Sequence, residues 1–346
     1  MIFITAVFLS FIVWIALLAH LYKAPDLKRF DKPEPTLVIE ESQVSPEHKD
    51  VVARLDAYLG RPRTMNAKEG RRRFAEVFSR EVDIDVIHVD IDGMDAEWVC
   101  AGEASPSRRL LYIHGGAFIV GSPKTHRHIT AELSRRSGLS VLAIDYRMQP
   151  EFKMIHCHED ARKAYGWILN NGPKGRSESA VTFVAGDSAG GNLTLALIAW
   201  ARDQGWRQAN GAIAFAPSTD ITMSGPSWKY NRDSDPFLGP SIGRLLAIPS
   251  FFRSITSRVH LGIPASHPHL SPLFVHLEDL PPTLIQVSRD EMLYSDALRY
   301  TNKARSEGSE VTLQAWPTLV HVFQGFDLPE ADQAFSLVAK FIQENS

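Results

Sequence analysis

The sequence predicts an α/β protein: a mostly parallel sheet with helices on both faces, a helical cap, and an apolar N-terminal helix. Three observations predict it. Short apolar runs alternate with helical stretches from residue 110 to the C-terminus, a pattern that argues for parallel strands covered on both sides. One such run, residues 181–185, leads straight into Gly186-Asp187-Ser188-Ala189-Gly190-Gly191 and then an apolar helical stretch. That is the strand–turn–helix context of a serine exposed on a tight turn. Finally, residues 2–22 carry no Asp, Glu, Lys or Arg; at about 1.5 Å per residue such a helix spans a hydrocarbon layer of roughly 30 Å.

In chain order, residues 1–22 read as an uncleaved transmembrane anchor. No basic residue precedes the run and no clear small-x-small cleavage site follows it, which argues against a signal peptide. Lys23, Lys28, Arg29 and Lys32 follow the run, so the positive-inside rule leans towards a cytoplasmic main domain. Residues 23–46, with Pro25, Pro33, Pro35 and Pro46 among charges, read as a linker. Residues 47–80 have helical periodicity and are expected as N-terminal cap helices. The main domain, residues 81–346, opens with an alternating run at 82–87, Asp92-Gly93 and a second run at 96–100, the signature of an antiparallel hairpin. Further strands are expected at 110–113, 141–144, 181–185, 211–216, 283–287 and 311–315. Helices are expected near 126–137, 159–170, 188–204, 293–307 and 331–344. Residues 218–265, rich in Pro, Gly, Ser, Phe and Trp, show no strand pattern and read as a cap insertion.

Composition excludes some functions. With 346 residues, 44% hydrophobic and 22% charged, the chain can bury a large core, and its formal net charge of −3 gives no basic field for nucleic acid. Two cysteines, Cys100 and Cys157, make no disulfide framework and match no metal-binding spacing. His126-Arg127-His128, the 156–160 cluster and His267-Pro268-His269 hold metal-capable side chains. At i, i+2 on a helix such residues face different ways, so packing or surface roles are expected and no metal. Oligomeric state is left open.

A serine hydroxyl needs a base within hydrogen-bond reach to act as a nucleophile. The steric demand for small residues two before and two after Ser188 is met by Gly186 and Gly190. Downstream, His321 follows the last expected strand on a loop and is the candidate base. Asp290, at the end of the preceding strand, is the favoured acid because it lies nearest the strand end, where sites form in open α/β sheets. Glu291 and Asp296 are its rivals on spacing alone. A developing oxyanion needs unobstructed backbone amides. The glycine turn His114-Gly115-Gly116-Ala117-Phe118, after an apolar strand, and Ala189, next to the serine, can supply them.

Together, the 114–118 turn, Asp145-Tyr146-Arg147-Met148-Gln149-Pro150-Glu151, the serine turn, the 290–296 block and His321-Val322-Phe323 resemble the hormone-sensitive-lipase family of α/β-hydrolases, over roughly residues 80 to 345. The resemblance implies an α/β-hydrolase fold and a cap built from the N-terminal helices and a later insertion. It implies a serine esterase that cleaves carboxylic esters of short to medium acyl chains through an acyl-enzyme intermediate, without a cofactor. It assigns Ser188, His321 and Asp290 as triad. It assigns the amides of Gly116, Ala117 and Ala189 as oxyanion donors, with Gly115 shaping the turn. Ala117 stands where the family has a third glycine, and the prolines usual after Glu151 are missing. A deacetylase or amidase would carry the same triad. A non-catalytic ligand-binding relative is the reading from another class, and it would lack the serine or the histidine.

Overall fold

The computed structural model describes residues 27–33, 38–60, 66–243, 246 and 261–346. Eight strands form one sheet: β1 (Asp85–Asp90), β2 (Asp95–Cys100), β3 (Ser105–Ile113), β4 (Leu139–Ile144), β5 (Val181–Asp187), β6 (Gly211–Phe215), β7 (Thr283–Ser288) and β8 (Val311–Trp316). Their spatial order is β1-β2-β4-β3-β5-β6-β7-β8. The β1–β2 hairpin and its seam with β4 are antiparallel, and every other neighbour pair is parallel. Nine helices accompany them among the described residues: α1 (Glu47–Leu59), α2 (Ala67–Phe78), α3 (Pro123–Ser137), α4 (Met154–Asn170), α5 (Ala189–Asp203), α6 (Ser227–Tyr230), α7 (Leu238–Ile242), α8 (Tyr294–Ser306) and α9 (Pro329–Glu344).

The apolar runs become central strands because both of their faces are covered. All residues of β4, β6 and β7 are buried, so these strands read as continuous rather than alternating hydrophobic segments. On β3, Leu111 and Ile113 pack with α4 and α5, while Leu110 and Tyr112 pack with α3 and α9. Helix α3 shows how the sequence sets an end. Ser122 caps its first turn through Thr125 N, Pro123 occupies the first position, and Gly138 closes it at φ 68°.

The N-terminal part differs from the expectation in one respect. Where residues 23–46 are described, they are docked rather than free. Phe30 is buried, Asp31 takes a paired ion contact from Arg299 at 2.5 and 2.9 Å, and Val38 N donates to Ala315 O at 2.8 Å. The apolar and charge-paired residues interspersed with the prolines are what bind this segment down. The anchor expected over residues 1–22 lies outside the described residues; within them no helix is long and apolar enough to cross a membrane. The stretch 218–265 carries no strand among its described residues, only α6 and α7.

Candidate active site

Strand β5 ends at Asp187 and α5 begins at Ala189, so Ser188 alone makes the turn, at φ 52° and ψ −113°. A non-glycine residue there is strained, and the surroundings hold it: Ser188 N donates to Phe215 O at 2.7 Å and Asn192 N to Ser188 O at 3.0 Å. The flanking glycines are required by contact. A Cβ on Gly190 would overlap Ile113 O, and one on Gly186 would meet Gly190 O.

Ser188 Oγ lies 2.9 Å from His321 Nε2, and His321 Nδ1 lies 2.9 Å from Glu291 Oε1. His321 and Glu291 are both buried. Burial disfavours the charged imidazole. Glu291, through its charge and hydrogen bond, and then the charges of Asp235 and Asp187, outweigh that and raise the His321 pKa.

The favoured acid, Asp290, is therefore corrected. Its carboxylate accepts from Thr318 Oγ1 at 2.6 Å and faces Arg289, and it does not reach His321. The turn after β7 decides this, not nearness to the strand end. Ser288 N donates to Glu291 Oε2 at 3.1 Å, which folds the longer side chain back into the site while its neighbour points outward. Asp296 is buried elsewhere, accepting from Asp220 N and Trp228 Nε1.

The glycine turn after β3 splits by role. Gly115 N donates to Asp187 Oδ1 at 2.9 Å, so this amide is occupied and Gly115 ties the turn to the serine elbow. Among the described residues, the amides of Gly116, Ala117 and Ala189 donate to no protein acceptor. Gly116 sits at φ 114° and a Cβ there would overlap Val120 O; Ala117 and Phe118 continue at φ 55° and 61°. The glycine at 116 is thus fixed by both conformation and contact.

Asp187 was not singled out by sequence. It is buried, accepts from Tyr112 Oη at 2.6 Å as well as from Gly115 N, and has His126 Nε2 3.4 Å from its other oxygen. Burial would raise its pKa, but His126 and Tyr112 hold it down at about 2. His114 stacks between Tyr146 and His126, and Tyr146 Oη donates to His114 O at 2.8 Å. Arg71 of α2 donates to Ile119 O and Gln149 O and pairs with Glu151. The 145–151 motif therefore supports the glycine turn after β3. In the His126-Arg127-His128 cluster, His126 faces Asp187 and Arg127 pairs with Glu97.

Over the serine lies a mostly apolar cavity of about 240 Å³. Tyr58, Phe74 and Phe78 of α1 and α2 line one side, and Phe237, Leu238 and Ile242 of the insertion another. Phe237 stacks on the His321 ring at 6.1 Å. Of the other aromatic residues, Trp228 is buried and Tyr230 exposed, and Phe251 and Phe252 lie outside the described residues.

Comparison with known proteins points to the same fold. Residues 110–325 match the family described as alpha/beta hydrolase fold. An acetyl-hydrolase of Streptomyces hygroscopicus is 34% identical over 74% of this chain and 81% of its own length. An esterase of Acinetobacter venetianus is 30% identical over 78% and 85%. Among solved structures, an esterase from the bacterial hormone-sensitive lipase family matches with a TM-score of 0.77 at 31% identity, covering 87% of this chain and 98% of that one. The esterase EstE5, in a crystal soaked with p-nitrophenyl butyrate, matches with a TM-score of 0.77 at 34% identity, covering 87% and 99%.

Proposed function

We propose that this chain, which belongs to the hormone-sensitive-lipase family of α/β-hydrolases and is a carboxylic-ester hydrolase, cleaves its ester through Ser188, His321 and Glu291. The observation that carries the assignment is the continuous hydrogen-bonded line Ser188 Oγ–His321 Nε2 and His321 Nδ1–Glu291 Oε1. Ser188 Oγ attacks the ester carbonyl as His321 Nε2 takes its proton, and Glu291 holds the imidazole in the tautomer with Nδ1–H while offsetting its charge. The carbonyl oxygen becomes an oxyanion facing the amides of Gly116, Ala117 and Ala189. The protonated His321 then returns its proton to the leaving alkoxide. A water, deprotonated by the same imidazole, attacks the acyl carbonyl, and the imidazolium returns that proton to Ser188 Oγ as the acid leaves. No step calls for a metal or organic cofactor.

The cavity supports esters of short to medium acyl chains, since its walls are apolar and it exceeds the size of an acetyl group. Ser188→Ala is expected to abolish turnover of p-nitrophenyl butyrate with an unchanged melting temperature; retained turnover would refute the assignment. We also propose that residues 2–22, which hold no Asp, Glu, Lys or Arg, anchor the enzyme in a membrane. Deleting residues 1–26 is then expected to move the activity from the membrane to the soluble fraction of a cell lysate. Activity that is soluble with or without the deletion would overturn that reading.

A further inference from the structure

The insertion does more than roof the cavity. Its side chains bind the backbone of the turn that carries Glu291, group after group. Asn231 Nδ2 donates to Arg289 O at 2.8 Å and Glu291 O at 2.9 Å; Ser234 Oγ donates to Asp290 O at 3.0 Å; Ser227 Oγ donates to Met292 O at 2.6 Å. Asp235 completes the set from a buried position. Its Oδ2 accepts from Met292 N at 2.9 Å, while its Oδ1 accepts from Phe237 N at 3.0 Å and Leu238 N at 2.8 Å.

An aspartate that only capped α7 would need Oδ1 alone. Here the second oxygen crosses to the residue after Glu291, and the segment that Oδ1 holds ends in the ring stacked on His321. We propose that Asp235 is a positioning residue that holds the Phe237 wall of the cavity and the Glu291 turn as one unit, so that the fit of the acyl chain against the wall bears on the triad. This rests on the assignment of Ser188, His321 and Glu291 above. The groups that act on the His321 charge are Glu291, Asp235 and Asp187, each of which favours the protonated ring.

The test is steady-state kinetics of Asp235→Asn and Asp235→Ala against pH, with p-nitrophenyl acetate and p-nitrophenyl hexanoate. The acetate is too short to fill the cavity, so it reports on the triad alone. Losing one charged acceptor is expected to lower its kcat about tenfold with KM little changed, and to move the acid limb to lower pH. The hexanoate is expected to lose in both kcat and KM. If Asp235 acts through Glu291, a Glu291→Gln/Asp235→Asn double variant is no slower on acetate than Glu291→Gln alone. An unchanged acetate kcat and acid limb in Asp235→Asn, or fully additive losses in the double variant, overturn the proposal. If the alanine variant does not fold, the asparagine variant, of equal size, decides. A wild-type enzyme inactive on both esters would instead count against the site assignment itself.

Discussion

Two buried carboxylate–histidine pairs flank Ser188. On one side Glu291 meets His321 Nδ1 at 2.9 Å, and the other imidazole nitrogen is free to face the serine hydroxyl. On the other side Asp187 has His126 Nε2 at 3.4 Å, but His126 Nδ1 is taken by Thr125 Oγ1 at 2.8 Å and Ser122 O at 3.2 Å, at the start of α3. The carboxylates differ in the same sense. Glu291 spends one oxygen on the imidazole and one on a single amide, whereas one oxygen of Asp187 binds both Tyr112 and the Gly115 amide. Under the proposed assignment, similar residues make a proton relay in one place and a backbone clamp in the other. What separates them is the partner of the second imidazole nitrogen.

The sharpest way to break this comparison is at the acid. Glu291→Gln is expected to lower kcat roughly 10³- to 10⁴-fold, the range in which losing a triad carboxylate acts. Asp290→Asn is expected to stay near wild type, because among the described residues its carboxylate serves Thr318 and Arg289 and not His321. Kinetics on p-nitrophenyl butyrate compare the two directly. The reverse outcome would return the acid to position 290.

On the clamp side, Asp187→Ala leaves Tyr112 Oη and Gly115 N without their acceptor in a buried place. Folding stability is expected to fall by about 2–5 kcal/mol, read by denaturant unfolding. Turnover by the molecules still folded is expected to fall about 10²-fold as the Gly116 and Ala117 amides lose their aim. A variant as stable as wild type would show that the clamp holds nothing.

The relay also predicts a pH profile. His321 must be neutral to accept the serine proton, and its neighbours raise its pKa above the ordinary 6.5. The rate is therefore expected to fall with decreasing pH at a midpoint above 6.5. In Glu291→Gln the main opposing influence is gone, burial dominates, and the midpoint is expected to move down. An unmoved midpoint would remove Glu291 from the relay.

Much of this was legible in the sequence, and the rest fails for a definite reason. The strands β3 to β8, the serine elbow and His321 announce themselves through apolar runs, glycine spacing and position after the last strand. The acid did not, because Asp290 and Glu291 are adjacent on a turn, and which one faces inward depends on Ser288 N capturing a carboxylate three residues on. Asp187 was silent for a similar reason. Its partners Tyr112, Gly115 and His126 come from β3, the following turn and α3, up to 75 residues away, and no local pattern marks a residue by its distant neighbours.

The smallest effect is expected at His126, and it tests whether the second pair is more than proximity. The Asp187 pKa, held at about 2 against an ordinary 3.8, makes the folded state more stable wherever the carboxylate is ionised in both states. That contribution is complete above about pH 4, vanishes as pH falls through the folded value, and amounts to roughly 2 kcal/mol. His126→Phe keeps an aromatic ring against Phe74 and His114 but removes the leading favourable influence on Asp187. Its acid-unfolding midpoint is expected to shift to higher pH, while stability near neutrality drops by about 1 kcal/mol and turnover stays within tenfold of wild type. Acid titrations of the two proteins followed by circular dichroism decide it. Coincident curves would mean that Tyr112 and Gly115 suffice to hold Asp187, leaving His321–Glu291 as the sole functional carboxylate–histidine pair beside the serine.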